Sequence, residues 1–136
     1  MVLAEAARAA VLDAPEVRSR HVTAIWLFGS RARGDAGPTS DVDLAILCDP
    51  PLGLDRTVVM DRASRAISTA VDLVDLGSAP PELVWEVVTT GRLILEEDEL
   101  AVERFVRRAR HAAEDAEQRH RMILLAQVGH VGKLAP

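Results

Sequence analysis

The stretch that decides the fold is VTAIWLFGSRARGDAGPTSDVDLAILC, residues 22–48. It begins with an apolar run, residues 22–28, of the kind that forms a buried strand. A Gly-Ser pair and a short basic segment follow, and Gly37-Pro38 interrupts the chain before a second run over residues 41–48. That second run alternates at first and then becomes continuously apolar. The stretch therefore predicts two strands joined by a helical turn and a loop.

Helix and strand patterns alternate on either side of this stretch. In chain order we predict a helix over residues 2–12, the strand over 22–28, a helical turn over 30–33, the strand over 41–48, a helix over 54–68, a strand over 71–76, a helix from Pro80-Pro81 to Gly91, an edge strand over 93–95 and a helix over about 99–128, capped by Asp98. This order predicts an α/β (α+β) fold, in which helices pack on a small mixed sheet of about four strands. We expect a mixed sheet because the dozen or so residues between the first two strands are too few for a full helical crossover.

Length and composition bound the class of protein. The 136 residues suit a single domain, residues 1–136, with a core over about 20–96. Hydrophobic residues make up 49% and charged residues 27%, as in soluble globular proteins. No apolar run approaches the roughly 18 residues of a membrane span, and the N-terminus does not resemble a secretory leader. Cys48 is the single cysteine, so we expect no intramolecular disulfide and a cytoplasmic location. The short apolar runs predict no membrane association.

Charge and aromatic content argue against direct nucleic-acid binding. The formal net charge is −5, whereas binding to a phosphate backbone needs a basic surface. Aromatic residues are only 3% of the chain and tyrosine is absent from the sequence, so a base-stacking surface is not expected. Only a local basic patch stays compatible with this composition.

Two aspartates at the start of the second predicted strand are candidate metal ligands. Asp41 and Asp43 are two residues apart, so strand alternation places both carboxylates on one face, about 6.6 Å apart along the chain. Adjacent negative charges repel each other, and a divalent cation relieves that repulsion. Because Mg²⁺ favours a few carboxylates together with substrate phosphate oxygens, the pair indicates a magnesium site for a phosphate-containing substrate.

A third carboxylate can come from the apolar strand over residues 71–76. This strand holds Asp72 and Asp75, which point to opposite faces because they are an odd number of residues apart. Only one of them can therefore join the first pair. We favour Asp72 as ligand or base, because an aspartate between apolar neighbours in mid-strand is costly without a partner. We expect water to reach Asp75 near the end of the strand, and the choice between the two stays open.

The Gly29-Ser30 pair is a candidate phosphate-binding turn. Glycine permits a close backbone approach, and the free amides of the turn, with the Ser30 hydroxyl, can hold an anion. Arg31 and Arg33 follow directly, and arginine suits bidentate contacts to phosphate. The short motif alone also fits an ordinary strand-to-helix turn. Its combination with Asp41, placed after a gap of ten residues, is far more specific.

The two motifs together resemble a known signature. Phe28-Gly29-Ser30-Arg31-Ala32-Arg33-Gly34, followed by Ser40-Asp41-Val42-Asp43-Leu44, is similar to the signature of the minimal nucleotidyltransferases. These proteins belong to the DNA polymerase β-like nucleotidyltransferase superfamily. The resemblance covers at least residues 22–95 and implies the palm-like fold of that superfamily. It also implies ATP as substrate and two Mg²⁺ ions as cofactors.

The resemblance implies roles for the Gly-Ser pair and for the charged residues. The triphosphate is expected to contact Gly29, Ser30, Arg31 and Arg33. Both metal ions are expected at Asp41 and Asp43. Asp72 would bind the catalytic ion and help to activate the acceptor hydroxyl, which attacks the α-phosphorus and displaces pyrophosphate.

The resemblance also implies a partner. Family members of this size resemble the antitoxin of a toxin–antitoxin pair, in which the toxin is an all-helical HEPN ribonuclease. This implies a hetero-oligomer with such a toxin and AMP transfer to one of its tyrosines. Two alternatives stay open, namely a non-catalytic antitoxin that neutralises the toxin by direct binding, and transfer to a small molecule. A homodimer is also compatible with the sequence.

The last predicted helix has two apolar parts. Residues 102–116 carry an apolar stripe at helical spacing, residues 117–121 are entirely polar, and residues 122–128 are mostly apolar again. The final part either folds back on the domain or forms an exposed patch for a partner. The sequence leaves both interpretations open.

Overall fold

A computed structural model describes residues 2–134 of the chain, with side chains described for residues 2–128. In these residues, helices and strands follow the predicted order, with one additional short helix after the first, and this order confirms the mixed α/β fold. The elements are α1 (Val2–Asp13), α2 (Pro15–Arg18), β1 (His21–Phe28), α3 (Gly29–Arg33), β2 (Val42–Asp49), α4 (Asp55–Ile67), β3 (Val71–Asp75), α5 (Pro81–Thr90), β4 (Arg92–Glu96) and α6 (Glu99–Leu134).

The four strands form one mixed sheet in the order β3-β2-β1-β4. β1 pairs antiparallel with both β2 and β4, whereas β2 and β3 are parallel. The predictions of a mixed sheet and of an edge position for the fourth strand are therefore confirmed. The carboxyl end of β1 and the amino ends of β2 and β3 consequently meet at the same edge of the sheet. This edge carries both sequence motifs.

Strand alternation divides the core into two layers. On one face of the sheet, β1, β2 and β3 pack against α1 and α4 through a cluster that includes Ile25, Leu27, Leu44, Ile46, Leu73, Val11 and Val59. On the other face, the sheet packs against α5 and α6 through a cluster that includes Ala24, Trp26, Ala45, Val84, Val87, Val102 and Ala109. We call these the α1/α4 face and the α5/α6 face.

Local sequence signals set the ends of α5 and α6. α5 begins at Pro81, where a missing backbone N–H is tolerated, and it ends where the Gly91 amide donates to the Val87 carbonyl at 2.8 Å. Before α6, the Asp98 carboxylate accepts from the Ala101 amide at 3.0 Å, as the predicted cap requires. Both helix starts were thus readable from the sequence.

α6 is longer than predicted and leaves the domain. It runs to Leu134 instead of about residue 128, because proline interrupts the sequence only at residue 136. Its last buried side chain is Ala116, and every described side chain from residue 117 to 128 is exposed. These twelve residues extend the helix by about 18 Å. Folding back on the domain is therefore wrong for residues 122–128.

The final part of α6 presents apolar side chains to solvent. We define the distal apolar surface as Met122, Ile123, Leu124, Leu125 and Val128, whose exposed fractions lie between 46% and 68%. Residues 129–136, whose role the sequence leaves open together with that of residues 122–128, lie outside the described side chains. Within the described residues, helices long enough to cross a membrane are all too polar to do so.

Candidate active site

The register of β2 against β3 brings two of the predicted carboxylates together. Asp43 and Asp72 are direct partners across this parallel pair, so their side chains leave the same face of the sheet. Ala45, which shares the orientation of Asp43, belongs to the core cluster of the α5/α6 face. Asp41 lies one residue before β2 and two before Asp43. The predicted set Asp41, Asp43 and Asp72 therefore gathers at the edge of the sheet where β1 ends.

The predicted charged residues act electrostatically on the Asp43 carboxylate. The pKa of Asp43 is raised above its usual range, first because of burial and then because of the negative charges of Asp72 and Asp41. The guanidinium groups of Arg33 and Arg31 oppose this rise in pKa. The other four predicted charged groups thus all influence the Asp43 carboxylate.

The structure places Asp72 and Asp75 on opposite faces, as predicted, but their exposure is the reverse of our expectation. Asp72 is exposed, whereas Asp75 is only 4% exposed. The Asp75 Oδ2 atom accepts hydrogen bonds from the Gly53 amide and the Ser78 hydroxyl, both at 3.0 Å. Asp75 is therefore tied to the loops that cover the end of β3, on the α1/α4 face. The expectation that water reaches it was wrong, because those loops close over it.

Gly29 of the Gly-Ser turn lies against the Asp43 side chain. Its φ of +72° lies in the left-handed region, which favours glycine. A Cβ at this position would also sit 2.1 Å from the Asp43 Oδ2 atom, far inside van der Waals contact. The turn and the acidic strand can therefore be this close only with glycine at position 29. Ser30 is the next residue of α3 and is half-buried.

The two predicted phosphate-binding arginines differ in what they contact. The Arg31 guanidinium donates to the backbone carbonyls of Ser40, at 2.6 Å, and of Asp41, at 3.2 Å. Arg33 is exposed and forms an ion pair with Asp35 at 3.3 Å. Arg31 is therefore engaged with the loop that leads into β2. Sequence reasoning missed this contact, because no pattern in the chain identifies a backbone carbonyl as the partner of an arginine.

These residues fit a divalent cation in chemistry and charge. The donors are carboxylate oxygens, which Mg²⁺ prefers; burial and then the repulsion by Asp72 and Asp41 raise the pKa of Asp43, and a bound cation would oppose that rise. Among the described side chains, no group of three or more His, Cys, Asp or Glu residues is arranged so that it could hold a metal ion by itself. Mg²⁺ commonly takes ligands from substrate phosphates and water as well as from one or two carboxylates, so a full set of protein ligands is not required of a substrate-completed site.

The site is open to solvent. Asp41 and Asp72 are both exposed, and Asp43 is half-buried. A cavity of about 390 Å³ lies instead at the other end of β2, beside Asp49 and Leu76 and beneath Phe105 of α6. The acidic residues thus face an accessible edge, where a bulky acceptor can approach.

Comparison with known proteins relates this geometry to a family. The family model described as Polymerase beta, Nucleotidyltransferase matches residues 16–100, which is more than half of the chain. Among curated relatives, the chain is similar to the protein adenylyltransferase MntA of Shewanella oneidensis, at 38% identity over 80 residues. That match covers 56% of this chain and 58% of the relative, so the chain matches less than two thirds of that relative.

Two solved structures share most of the fold. A toxin–antitoxin structure with AMP-PNP superposes with a TM-score of 0.72 and 27% identity, and the match covers 90% of this chain and 95% of that one. A complex of a tri-AMPylated Shewanella oneidensis HEPN toxin with its MNT antitoxin gives a TM-score of 0.69 and 25% identity, covering 93% and 96% of the two chains. The predicted nucleotidyltransferase fold is thereby confirmed. The chain belongs to the polymerase beta nucleotidyltransferase family.

Proposed function

We propose that this chain transfers AMP from ATP, with Mg²⁺, to a tyrosine hydroxyl of a HEPN-type toxin, and that it acts in this way as an antitoxin. The observation that carries the proposal is the contact between the Gly29 turn and Asp43, with Asp72 paired to Asp43 across the strands. It joins a candidate phosphate-binding turn to a set of carboxylates. The whole reaction would take place in the cytoplasm, where ATP and a ribonuclease toxin meet.

Each residue has a place in the proposed reaction. Gly29 and Ser30, with Arg33 nearby, would hold the β- and γ-phosphates, and Asp41 and Asp43 would hold two Mg²⁺ ions. When bound, these ions would neutralise charge that develops on the phosphate oxygens. The AMP-PNP found in one of the similar structures supports ATP as the substrate.

The chemistry is a displacement at the α-phosphorus. The acceptor oxygen forms a bond to that phosphorus while the bond to the bridging oxygen breaks, and pyrophosphate leaves. Asp72 is exposed beside Asp43, so its carboxylate can take the proton of the attacking hydroxyl. Most of the acceleration in such transfers comes from positioning and charge neutralisation.

A protein acceptor suits the shape of the site. Two of the three carboxylates are exposed at an open edge, and a tyrosine on a folded partner can reach such an edge. The similar complex that contains an AMPylated HEPN toxin supports the same acceptor class. The cavity of about 390 Å³ lies at the far end of β2, away from these carboxylates.

Direct binding is the second candidate function, and one observation favours it. The distal apolar surface exposes five neighbouring apolar side chains outside the domain, so it can bind a partner without any chemistry. A toxin neutralised by binding alone would make the acidic site dispensable.

Labelled ATP separates the two functions. The chain is incubated with ATP labelled at the α-phosphate, Mg²⁺ and the HEPN-type protein encoded by the adjacent gene. We expect label on the toxin with the wild type, and loss of label with Asp43→Asn. The matched control is Asp61→Asn, which removes an exposed carboxylate paired with Arg65 on α4 and should leave transfer unchanged. Neutralisation that survives Asp43→Asn, without label on the toxin in any sample, would support binding alone.

A further inference from the structure

Asp41 and Asp43 are held in place by different means. Asp43 lies within β2, between Phe28 of β1 and Asp72 of β3, so sheet pairing fixes it on both sides. Asp41 precedes the strand, and the nearest sheet-like bond is the one from the Val42 amide to the Ala70 carbonyl at 2.9 Å. The position of Asp41 therefore depends on contacts outside the ladder.

Arg31 supplies those contacts. Its Nη2 atom donates to the Ser40 carbonyl at 2.6 Å and its Nε atom to the Asp41 carbonyl at 3.2 Å. The two carbonyls are consecutive, so a single planar guanidinium holds the peptide segment that carries Asp41. The loop before it is closed by a turn, in which the Gly37 amide donates to the Ser40 hydroxyl at 2.8 Å. Arg31 thus connects α3 to the far end of this loop.

The five-residue helix α3 consequently touches the acidic segment at two points. Gly29 lies against the Asp43 side chain, and Arg31 holds the backbone of Ser40 and Asp41. The ten residues between Ser30 and Asp41 comprise the rest of α3 and the loop that follows it, and these contacts fix the two ends of that loop relative to each other. The spacing of the two motifs therefore also has a structural explanation, since it allows α3 to contact both the Asp43 side chain and the backbone of Ser40 and Asp41.

We propose that Arg31 is a positioning residue for Asp41, and that it is not the phosphate ligand that the sequence motif predicts. This inference rests on the proposed function, because Asp41 matters only as a metal-binding carboxylate. If Arg31 turned to a phosphate, the Ser40 and Asp41 carbonyls would lose their donors. Arg33, whose only described ion pair is with exposed Asp35, is the arginine that can turn to phosphate without such a loss.

Arg31→Lys separates charge from geometry. Lysine keeps the positive charge near Asp43, but its ammonium has a single nitrogen and so lacks the two coplanar nitrogens, Nε and Nη2, with which Arg31 reaches the two carbonyls. We expect Arg31→Lys to weaken Mn²⁺ binding about tenfold and to lower kcat for AMP transfer about 10- to 100-fold, with little change in KM for ATP. Arg31→Gln should behave like Arg31→Lys. Arg33→Lys should instead act mainly on KM, and Arg65→Lys, an exposed arginine of α4, should change nothing.

A double-mutant cycle links Arg31 to Asp41. If Arg31 acts through Asp41, the effect of Arg31→Lys on Mn²⁺ affinity should largely disappear in an Asp41→Asn background. Circular dichroism and melting curves confirm that each variant is folded. Wild-type Mn²⁺ affinity in both Arg31→Lys and Arg31→Gln, or full additivity with Asp41→Asn, overturns the inference.

The two proposals fail in distinguishable ways. Mn²⁺ binding is measured with the metal alone and needs neither ATP turnover nor a toxin. A wild type that binds Mn²⁺ but never labels a partner refutes AMP transfer, whereas the loss of Mn²⁺ affinity in Arg31→Lys still supports the positioning role. Conversely, Arg31→Lys with normal Mn²⁺ affinity and a raised KM for ATP identifies Arg31 as a phosphate ligand.

Discussion

Gly29 and Asp43 are in direct contact: a Cβ on Gly29 would lie 2.1 Å from the Asp43 Oδ2 atom. The backbone of the turn thus occupies the space next to the central carboxylate of the site. In the proposed reaction this contact would set where a triphosphate lies relative to the three aspartates, because a side chain at position 29 would have to displace either the Asp43 carboxylate or the turn itself.

Gly29→Ala is therefore expected to abolish AMP transfer. It introduces a clash with Asp43 in addition to the strain of a positive φ, which costs about 1–2 kcal/mol. Gly53→Ala is the matched control, because Gly53 also has a positive φ, of +55°, but has no atom within 4 Å of the added Cβ. Gly53→Ala should lower Tm and keep transfer. Equal activity in the two variants would contradict the proposed contact.

In the absence of metal, ionised Asp43 is predicted to lower the free energy of unfolding. Its folded-state pKa is raised above the ordinary 3.8 by burial and by Asp72 and Asp41. Since the unfolded chain releases this proton at lower pH, stability falls as pH rises from 3.8 to the raised value, and stays lower above it. Asp43→Asn should therefore raise Tm at pH 7 in EDTA, by no more than about 3 °C for this partly exposed group.

The advantage of Asp43→Asn should shrink as pH falls through the raised pKa, because the wild-type carboxyl group then becomes neutral as well. Melting curves of both proteins from pH 7 to pH 4 measure this difference, with Asp61→Asn as a control for the loss of a surface charge. A variant that is less stable than the wild type at pH 7 without metal would show that Asp43 makes favourable contacts instead.

Asp72 and Asp75 are expected to respond differently to substitution. Mg²⁺ with AMP-PNP should raise the wild-type Tm, since a ligand at 100 times its Kd stabilises by about 2.7 kcal/mol. Asp72→Asn should reduce this shift and abolish transfer. Asp75→Asn should keep the shift but lower the baseline stability by about 1–3 kcal/mol, because it weakens the bonds from Gly53 and Ser78. Loss of the shift in Asp75→Asn alone would reverse the assignment.

The sequence was sufficient for the features that follow from strand parity and local capping. The separation of Asp72 and Asp75 onto opposite faces follows from an odd spacing, and the ends of α5 follow from Pro81 and Gly91. The burial of Asp75 was not predictable in this way, because it depends on the turn that holds Ser78, directly after the strand, and on the loop that holds Gly53, 22 residues earlier in the chain. The alternation of residues along a strand shows which face a side chain lies on, but it does not show whether a loop covers that side chain.

The Arg31 contact was hidden for a related reason. An arginine after a Gly-Ser turn predicts phosphate binding from side-chain chemistry alone, whereas its carbonyl partners at Ser40 and Asp41 become visible only once the loop is closed. At the end of α6, by contrast, the sequence showed the residues but not their role. Its apolar pattern was visible in the sequence, but the pattern alone could not tell core from interface.

The distal apolar surface is predicted to hold the partner without contributing to the fold. Met122, Leu124 and Leu125 are all exposed, and they follow the last buried side chain of α6, Ala116. Since the apolar residues from Met122 to Leu125 are consecutive, they cover several sides of the helix, and a helix that is apolar all round is normally buried. An all-helical toxin could surround it in this way.

The double variant Leu124→Glu, Leu125→Glu should therefore lose co-purification with the HEPN-type toxin and keep both its Tm and its affinity for Mg²⁺ with AMP-PNP. Leu100→Glu is the matched control, because Leu100 is similarly exposed, at 56%, near the start of the same helix. It should leave the complex intact. A double variant that melts well below the wild type would assign these leucines to the fold, and one that still co-purifies would place the toxin contact elsewhere. AMP transfer at high toxin concentration should persist in the double variant, because the acidic site lies at the edge where β1 ends and is built from β2, β3 and α3.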